Sequence, residues 1–273
     1  MGWCGDMFLF KYHFYPSTRL IPASEFLDMH CEPFVDNLGK GGQFLAGGYF
    51  ANQHAKITYY GPCAEKTSLS PKLHFAWAKR SYKRILQYSL RRPKFECVGR
   101  LPVEQPCCTC RGKADLILRT NFLSMESVLK CTKCARYVPL YRFRSLSSDT
   151  ELLSGINSWK AAYDRCDGLF IGSGVGERFG YYQTSSLKSP LAQDGVKLCR
   201  SLEKKLKVRV YYDLTTYYGR SSSLERKRCC PRCKGNWLLK QPWLKFYNFR
   251  CNKCRLVSNI AWDIAPAYSK QTS

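Results

Sequence analysis

Carboxylates are scarce in this chain. Twenty Asp and Glu face 44 Lys and Arg across 273 residues, a formal charge of +24 with histidines neutral. Such an excess points to a polyanionic partner: nucleic acid first, an acidic protein second, an anionic membrane surface third. Long apolar runs are also missing. No stretch approaches the roughly 20 consecutive apolar residues that a membrane span needs. The first six residues lack a basic segment followed by an apolar one, so no secretory signal is expected. Asp6 stands where a myristoylation motif requires Ser or Thr. These absences describe a soluble, cytoplasmic protein without a membrane partner. Hydrophobic content of 45%, with 14% aromatic, separates it from a disordered chain.

The pattern along the chain predicts an α+β protein. In residues 1–100, Phe8, Phe10, Tyr12 and Phe14 alternate with Leu9, Lys11 and His13, the period of a strand. A helix is expected over 23–38, ended by Gly39, and strands over 43–50 and 55–60. A second helix is expected over 71–90 and a strand over 94–98. The order β-α-β-β-α-β matches a ferredoxin-like sandwich. Residues 101–143 and 226–273 each hold a cysteine quartet, and a small α/β segment with a basic linker fills 144–225. In that segment Ser148 and Glu151 suggest a capping box. Leu152, Ile156, Trp159 and Tyr163 share a helical face. Residues 168–171 read as a short buried strand, Leu198, Leu202 and Leu206 mark another helix, and Val208, Val210, Tyr212 and Leu214 alternate as a strand. The stretch 220–228 reads as the linker.

Sixteen cysteines in a chain of this kind point to metal ligands more than to disulfides. Cys107-x2-Cys110 is followed by Cys131-x2-Cys134, and Cys230-x2-Cys233 by Cys251-x2-Cys254. Each pair forms a tight knuckle, and two knuckles joined by short strands complete a tetrahedral S₄ site. Iron centres use similar knuckles. Zinc is expected, because closed S₄ sites outside redox contexts usually hold it. Two structural Zn²⁺ sites follow, with ligands Cys107, Cys110, Cys131 and Cys134, and Cys230, Cys233, Cys251 and Cys254. Neither leaves an open position for substrate. Cys108 and Cys229 each adjoin a proposed ligand; Cys107 and Cys230 are preferred for their two-residue gap. A Zn²⁺ held by four thiolates carries −2, so two sites lower +24 to about +20. The basic excess survives.

Cations and aromatics interleave around the second quartet. From Arg226 to Arg255 no acidic residue interrupts the basic ones. Arg226, Lys227, Arg228, Lys240, Trp243, Lys245 and Arg255 are the nucleic-acid-binding candidates, cations for phosphates and a ring for bases. Trp237, just after a knuckle, suits the ribbon's own core better. Other signals are weaker. Gly172, Gly174 and Gly176 have the wrong last spacing for a dinucleotide loop and read as a turn. His13, His30, His54 and His74 show no ligand spacing, and Cys166 and Cys199 read as lone buried thiols. No nucleophile, base and orienting group can be assembled, so no catalytic residue is expected.

The residues Cys131-Thr132-Lys133-Cys134, Val138-Pro139-Leu140-Tyr141, Trp159, Ser173-Gly174, Glu177, Tyr211-Tyr212, Cys230-Pro231-Arg232-Cys233, Trp237 and the run from Phe249 to Asn259 resemble a known family. It comprises bacterial proteins of unknown function described as zinc-ribbon-containing and linked to nucleic-acid binding. The likeness covers residues 105–260 well and the N-terminal part loosely. It implies zinc, and a nucleic-acid partner. The competing expectation is a protein-interaction module, such as an immunity or adaptor protein that caps an acidic partner.

Overall fold

The computed structural model describes residues 7–45, 47–53, 56–101, 107–124 and 127–264. His54, the first six residues and the tail beyond 264 lie outside them. The chain forms two compact units. One comprises residues 1–109, 125–127 and 136–154; the other comprises 110–124, 128–135 and 155–273. These boundaries do not coincide with those expected at 100, 143 and 225.

In the first unit, β1 (Met7–Phe14) buries Phe10, Tyr12 and Phe14 on the expected period. Its register with the strand Lys94–Leu101 shifts between Leu9 and Phe10, and Phe8 is left only half-buried. Helix α1 (Ala23–Phe26) runs through a π turn at Leu27–Cys31 into α2 (Glu32–Lys40). Gly39 lies within α2 and does not end it; the chain turns at Gly42, whose φ is +74°. β2 (Tyr49–Gln53) and β3 (Lys56–Cys63) follow. β2 begins later than expected because Gln43 and Leu45 bond as loop, Gln43 N–H to the Leu38 carbonyl and Leu45 N–H to that of Pro62. The helix expected over 71–90 is shorter. A 3₁₀ turn at Pro71–Leu73 is separated by extended His74 and Phe75 from α3 (Ala76–Gln87). β4 (Lys94–Leu101) completes an antiparallel sheet ordered β2-β3-β1-β4. Phe26, Phe34, Leu38, Ile57 and Ile85 join the β1 aromatics in its core.

The second unit is built on a six-stranded sheet, β6-β5-β7-β10-β9-β8. β5 (Leu116–Leu118) and β6 (Leu129–Cys131) pair antiparallel beside the first cysteine quartet. Helix α4 (Thr150–Gly172) is capped by Asp149, whose Oδ1 accepts the Leu152 N–H at 3.1 Å, one residue beyond the expected Ser148 box. Residues 168–171 are its last turn, not a strand. On the expected helical face Leu153 is buried in place of Leu152, and the face continues through Ile156, Trp159 and Tyr163 to Phe170, which packs 5.0 Å from Tyr181 of α5 (Glu177–Ser185). The glycine run is the turn between these helices, and Gly176, φ +84°, caps α5. A Cβ at Gly180 would meet the Cys166 carbonyl at 2.3 Å, so α4 and α5 approach at a glycine. Helix α6 (Pro190–Leu206), capped by Ser189, packs on β7 (Val210–Asp213).

β7 is buried along its whole length rather than on alternate residues. It pairs in parallel with β5 and with β10, and a central parallel strand is covered on both faces. The expected linker contains a short capped helix, α7 (Ser222–Arg226). β8 (Leu238–Trp243), β9 (Tyr247–Cys251) and β10 (Leu256–Ser258) surround the second cysteine quartet. Strands next to both cysteine quartets thus belong to one sheet, joined through β7. Among the described residues no helix is long and apolar enough to cross a membrane.

Candidate metal centres and their basic surroundings

Local backbone geometry assembles the sulfurs. In three knuckles the residue after the second cysteine is left-handed: Ala135 (φ 61°), Lys234 (φ 61°) and Arg255 (φ 56°). This turn brings the Ala135 amide to the Cys131 carbonyl and the Lys234 amide to that of Cys230, each at 2.9 Å. Amides also reach sulfur, Lys133 N–H to Cys131 Sγ and Cys254 N–H to Cys251 Sγ, both at 3.4 Å. Such donors favour the thiolate form that a metal requires.

Cys230, Cys233, Cys251 and Cys254 gather as expected, with ligand atoms within 4.8 Å of one another. Cys233 Sγ and Cys251 Sγ stand 3.7 Å apart. A metal 2.3 Å from each of four tetrahedral sulfurs would set them about 3.8 Å apart, so the spacing fits an S₄ ion. The Gly235 amide draws the Cys233 thiol down to about 7, while burial pushes Cys230 and Cys254 up.

The first centre differs from expectation in one ligand. Cys108, Cys110, Cys131 and Cys134 form the cluster, and Cys107 does not join it. Cys108 donates its amide to the Tyr137 carbonyl at 2.7 Å, and Arg142 Nη1 donates to the Cys108 carbonyl. These bonds fix the Cys108 backbone, and the Cys108 sulfur gathers with that of Cys110 while the Cys107 sulfur lies elsewhere. The Cys107 sulfur lies 3.6 Å from the Ala64 carbonyl and receives Arg142 Nη2 at 3.4 Å. Burial raises its pKa, and it remains a thiol. Arg142 is itself fixed by Glu65, at 2.7 Å, which also accepts the Tyr141 hydroxyl at 2.6 Å.

The seven basic and aromatic candidates divide into two groups. Arg228 lies over Phe249 at 4.5 Å and donates to Thr216 Oγ1, Ser258 Oγ and the Asn259 carbonyl. Trp243 packs edge-on to Tyr211 at 5.5 Å beneath Arg250, and Arg255 pairs with Glu203 at 3.2 Å. These three are engaged in the unit's own packing. Arg226, Lys227, Lys240 and Lys245 are exposed. Trp237 is core, as read, and its indole N–H donates to the Arg228 carbonyl at 2.7 Å.

One polar cluster carried no sequence signal. Buried Asp213, ending β7, accepts Arg119 Nη1 at 2.8 Å, the Tyr247 hydroxyl at 3.0 Å and Thr215 Oγ1 at 2.8 Å. Its members are scattered over 128 residues and meet only because β5, β7 and β9 share a sheet.

Two family models match the chain. One, described as "Domain of unknown function (DUF2310)", matches residues 111–215, and the other, "Domain of unknown function (DUF8594)", residues 219–264. Two Haemophilus influenzae proteins, each described as "Uncharacterized protein", are similar. One is 28% identical over 201 residues, covering 74% of this chain and 76% of the relative. The other is 32% identical over 147 residues, covering 54% and 71%. Among solved structures, Rv0793 from Mycobacterium tuberculosis (9% identity, 36% of this chain, 99% of that one) and the NE2512 protein of unknown function from Nitrosomonas europaea (12%, 39% and 100%) each superpose with a TM-score of 0.28. Likenesses of that degree assign neither fold nor function.

Proposed function

We propose that this chain, which belongs to the family of the Haemophilus influenzae protein of 32% identity, is a non-enzymatic cytoplasmic protein whose two S₄ centres hold structural zinc and whose second ribbon binds nucleic acid. Closed sulfur sets without an open position favour scaffolding over catalysis. The β-α-β-β-α-β order and the strand order β2-β3-β1-β4 support a ferredoxin-like reading of the first unit.

One observation carries the nucleic-acid reading. Arg226, Lys227, Lys240 and Lys245 face solvent, and none has a carboxylate partner among the described residues. Lys245 sits at the tip of the β8–β9 hairpin, where it and Leu244 both hold positive φ, 63° and 55°. Each such residue costs about 1 kcal/mol, a strain of the kind that concentrates at functional sites.

Fluorescence anisotropy of zinc-loaded, nuclease-treated protein with single- and double-stranded DNA and RNA, at several salt concentrations, tests the reading. Binding should weaken steeply with salt. Lys240→Ala/Lys245→Gly should lower the log–log slope by about 2. Absence of binding at low salt refutes it and directs the search to an acidic protein.

A further inference from the structure

A second cationic surface lies away from the hairpin tip. The end of α5, the loop leading to α6, the chain after β7 and the knuckle at Cys230 enclose a cleft of about 550 Å³. Pockets of roughly 300–1,000 Å³ hold small-molecule ligands. Lys188, Arg228 and Lys234 line it, and among the described residues no carboxylate does. Lys188 and Lys234 are exposed and have no carboxylate partner among the described residues. Arg228 is half-buried, with its Nε 3.8 Å from Glu225. The Ser186 hydroxyl adds a short-range donor, its Oγ already accepting the Lys188 amide at 3.3 Å, whereas the Ser185 and Thr216 hydroxyls donate to the Tyr181 and Asn259 carbonyls.

Lys188 and Lys234, without carboxylate partners among the described residues, leave this concavity positive, and an anion relieves their repulsion. Lysines act on phosphate as point charges, and hydroxyls add directed hydrogen bonds. Leu187, Leu214 and Trp237 give the same cleft an apolar wall. A ligand that satisfies both parts has a phosphate at one end and a flat or apolar body at the other. We propose that this cleft binds a phosphate-bearing ligand of nucleotide size, with Lys188 and Lys234 as the main phosphate contacts. The ligand is a free mononucleotide or one unit of a strand. The proposal does not depend on the hairpin's binding.

Cys229 lines this cleft and is exposed, as is Cys97 of the first unit, so each serves as a reporter. Zinc-loaded, full-length protein is alkylated with limiting iodoacetamide, alone or with uridine, UMP or a ten-residue oligouridylate. Labelling at both cysteines is measured by peptide mass spectrometry. At ten times Kd the free fraction falls about tenfold, so Cys229 labelling should slow about tenfold with Cys97 unchanged. UMP protection places a free nucleotide in the cleft; protection by the oligomer alone places a strand there. Either supports the proposal. Lys188→Ala/Lys234→Asn should abolish protection, Asn being chosen because position 234 has positive φ. Lys188→Glu, outside the knuckle, gives the same answer should the double variant lose zinc. Protection by uridine alone, protection that survives Lys188→Glu, or no protection by UMP or the oligomer overturns the proposal. None of these three results touches the anisotropy test of the hairpin.

Discussion

Serine exchange at positions 107 and 108 has opposite expected outcomes for neighbouring cysteines. Cys108 lies in the cluster and Cys107 does not. A structural zinc site supplies about 10–16 kcal/mol of apparent binding energy, so a quarter share per thiolate is about 2.5–4 kcal/mol. At 1.4 kcal/mol per decade, Cys108→Ser should weaken the first site about 100- to 1,000-fold. The Cys107 sulfur instead accepts a hydrogen bond from Arg142 at 3.4 Å, which a serine hydroxyl can also accept. Cys107→Ser should therefore leave zinc affinity within about threefold, a change of under 1 kcal/mol. The assay is competition with a chromophoric chelator at fixed pH, alongside total zinc by elemental analysis. Full loss in Cys107→Ser with retention in Cys108→Ser would refute the assignment. Equal losses in both would show that the 107–110 segment does not keep Cys107 apart from the cluster without metal.

Asp213→Ala should cost about 3–5 kcal/mol in urea denaturation, since it removes a buried carboxylate that Arg119 and Tyr247 both address. Asp115→Ala, whose partner Arg209 is 53% exposed, should cost under about 1 kcal/mol, and equal losses would contradict the burial argument. Burial pushes the His74 imidazole down to about 4. Below pH 6.5 the unfolded chain gains a proton that the folded chain refuses, so stability falls between about pH 6.5 and 4, by about 3 kcal/mol in all. His74→Phe, placed against Phe34 and Tyr82, should flatten the curve relative to the unsubstituted protein over that window; parallel curves would refute it.

What the sequence disclosed follows the range of the interactions involved. Three knuckles were legible because a C-x2-C turn is closed by its own backbone bonds. The fourth was not, because the choice between Cys107 and Cys108 is made by Tyr137 and Arg142, about thirty residues away. β1 was legible from its period of two. Residues 168–171 were not, since a four-residue apolar run reads alike in a strand and in the last turn of a long helix. β7 read as half-buried because nothing near it in sequence announces that β5 and β10, from the two ribbons, will flank it.

The basic surface shows the same division. A charge count over residues 226–255 cannot separate an arginine lying on its own protein's rings from a lysine facing water. Position relative to the aromatic strands separates them. Arg228 follows α7 and meets Phe249 and Trp237; Arg255 follows a knuckle and meets Glu203 and the Tyr211 ring. Lys240 and Lys245, on β8 and at the hairpin tip, meet no such partner among the described residues. The cations that hold the second ribbon to the sheet are thus arginines, whose planar groups stack and donate in several directions. Those left for an outside anion are mostly lysines. Charge-neutralising changes at the first set should lower stability, and at the second set should lower affinity alone.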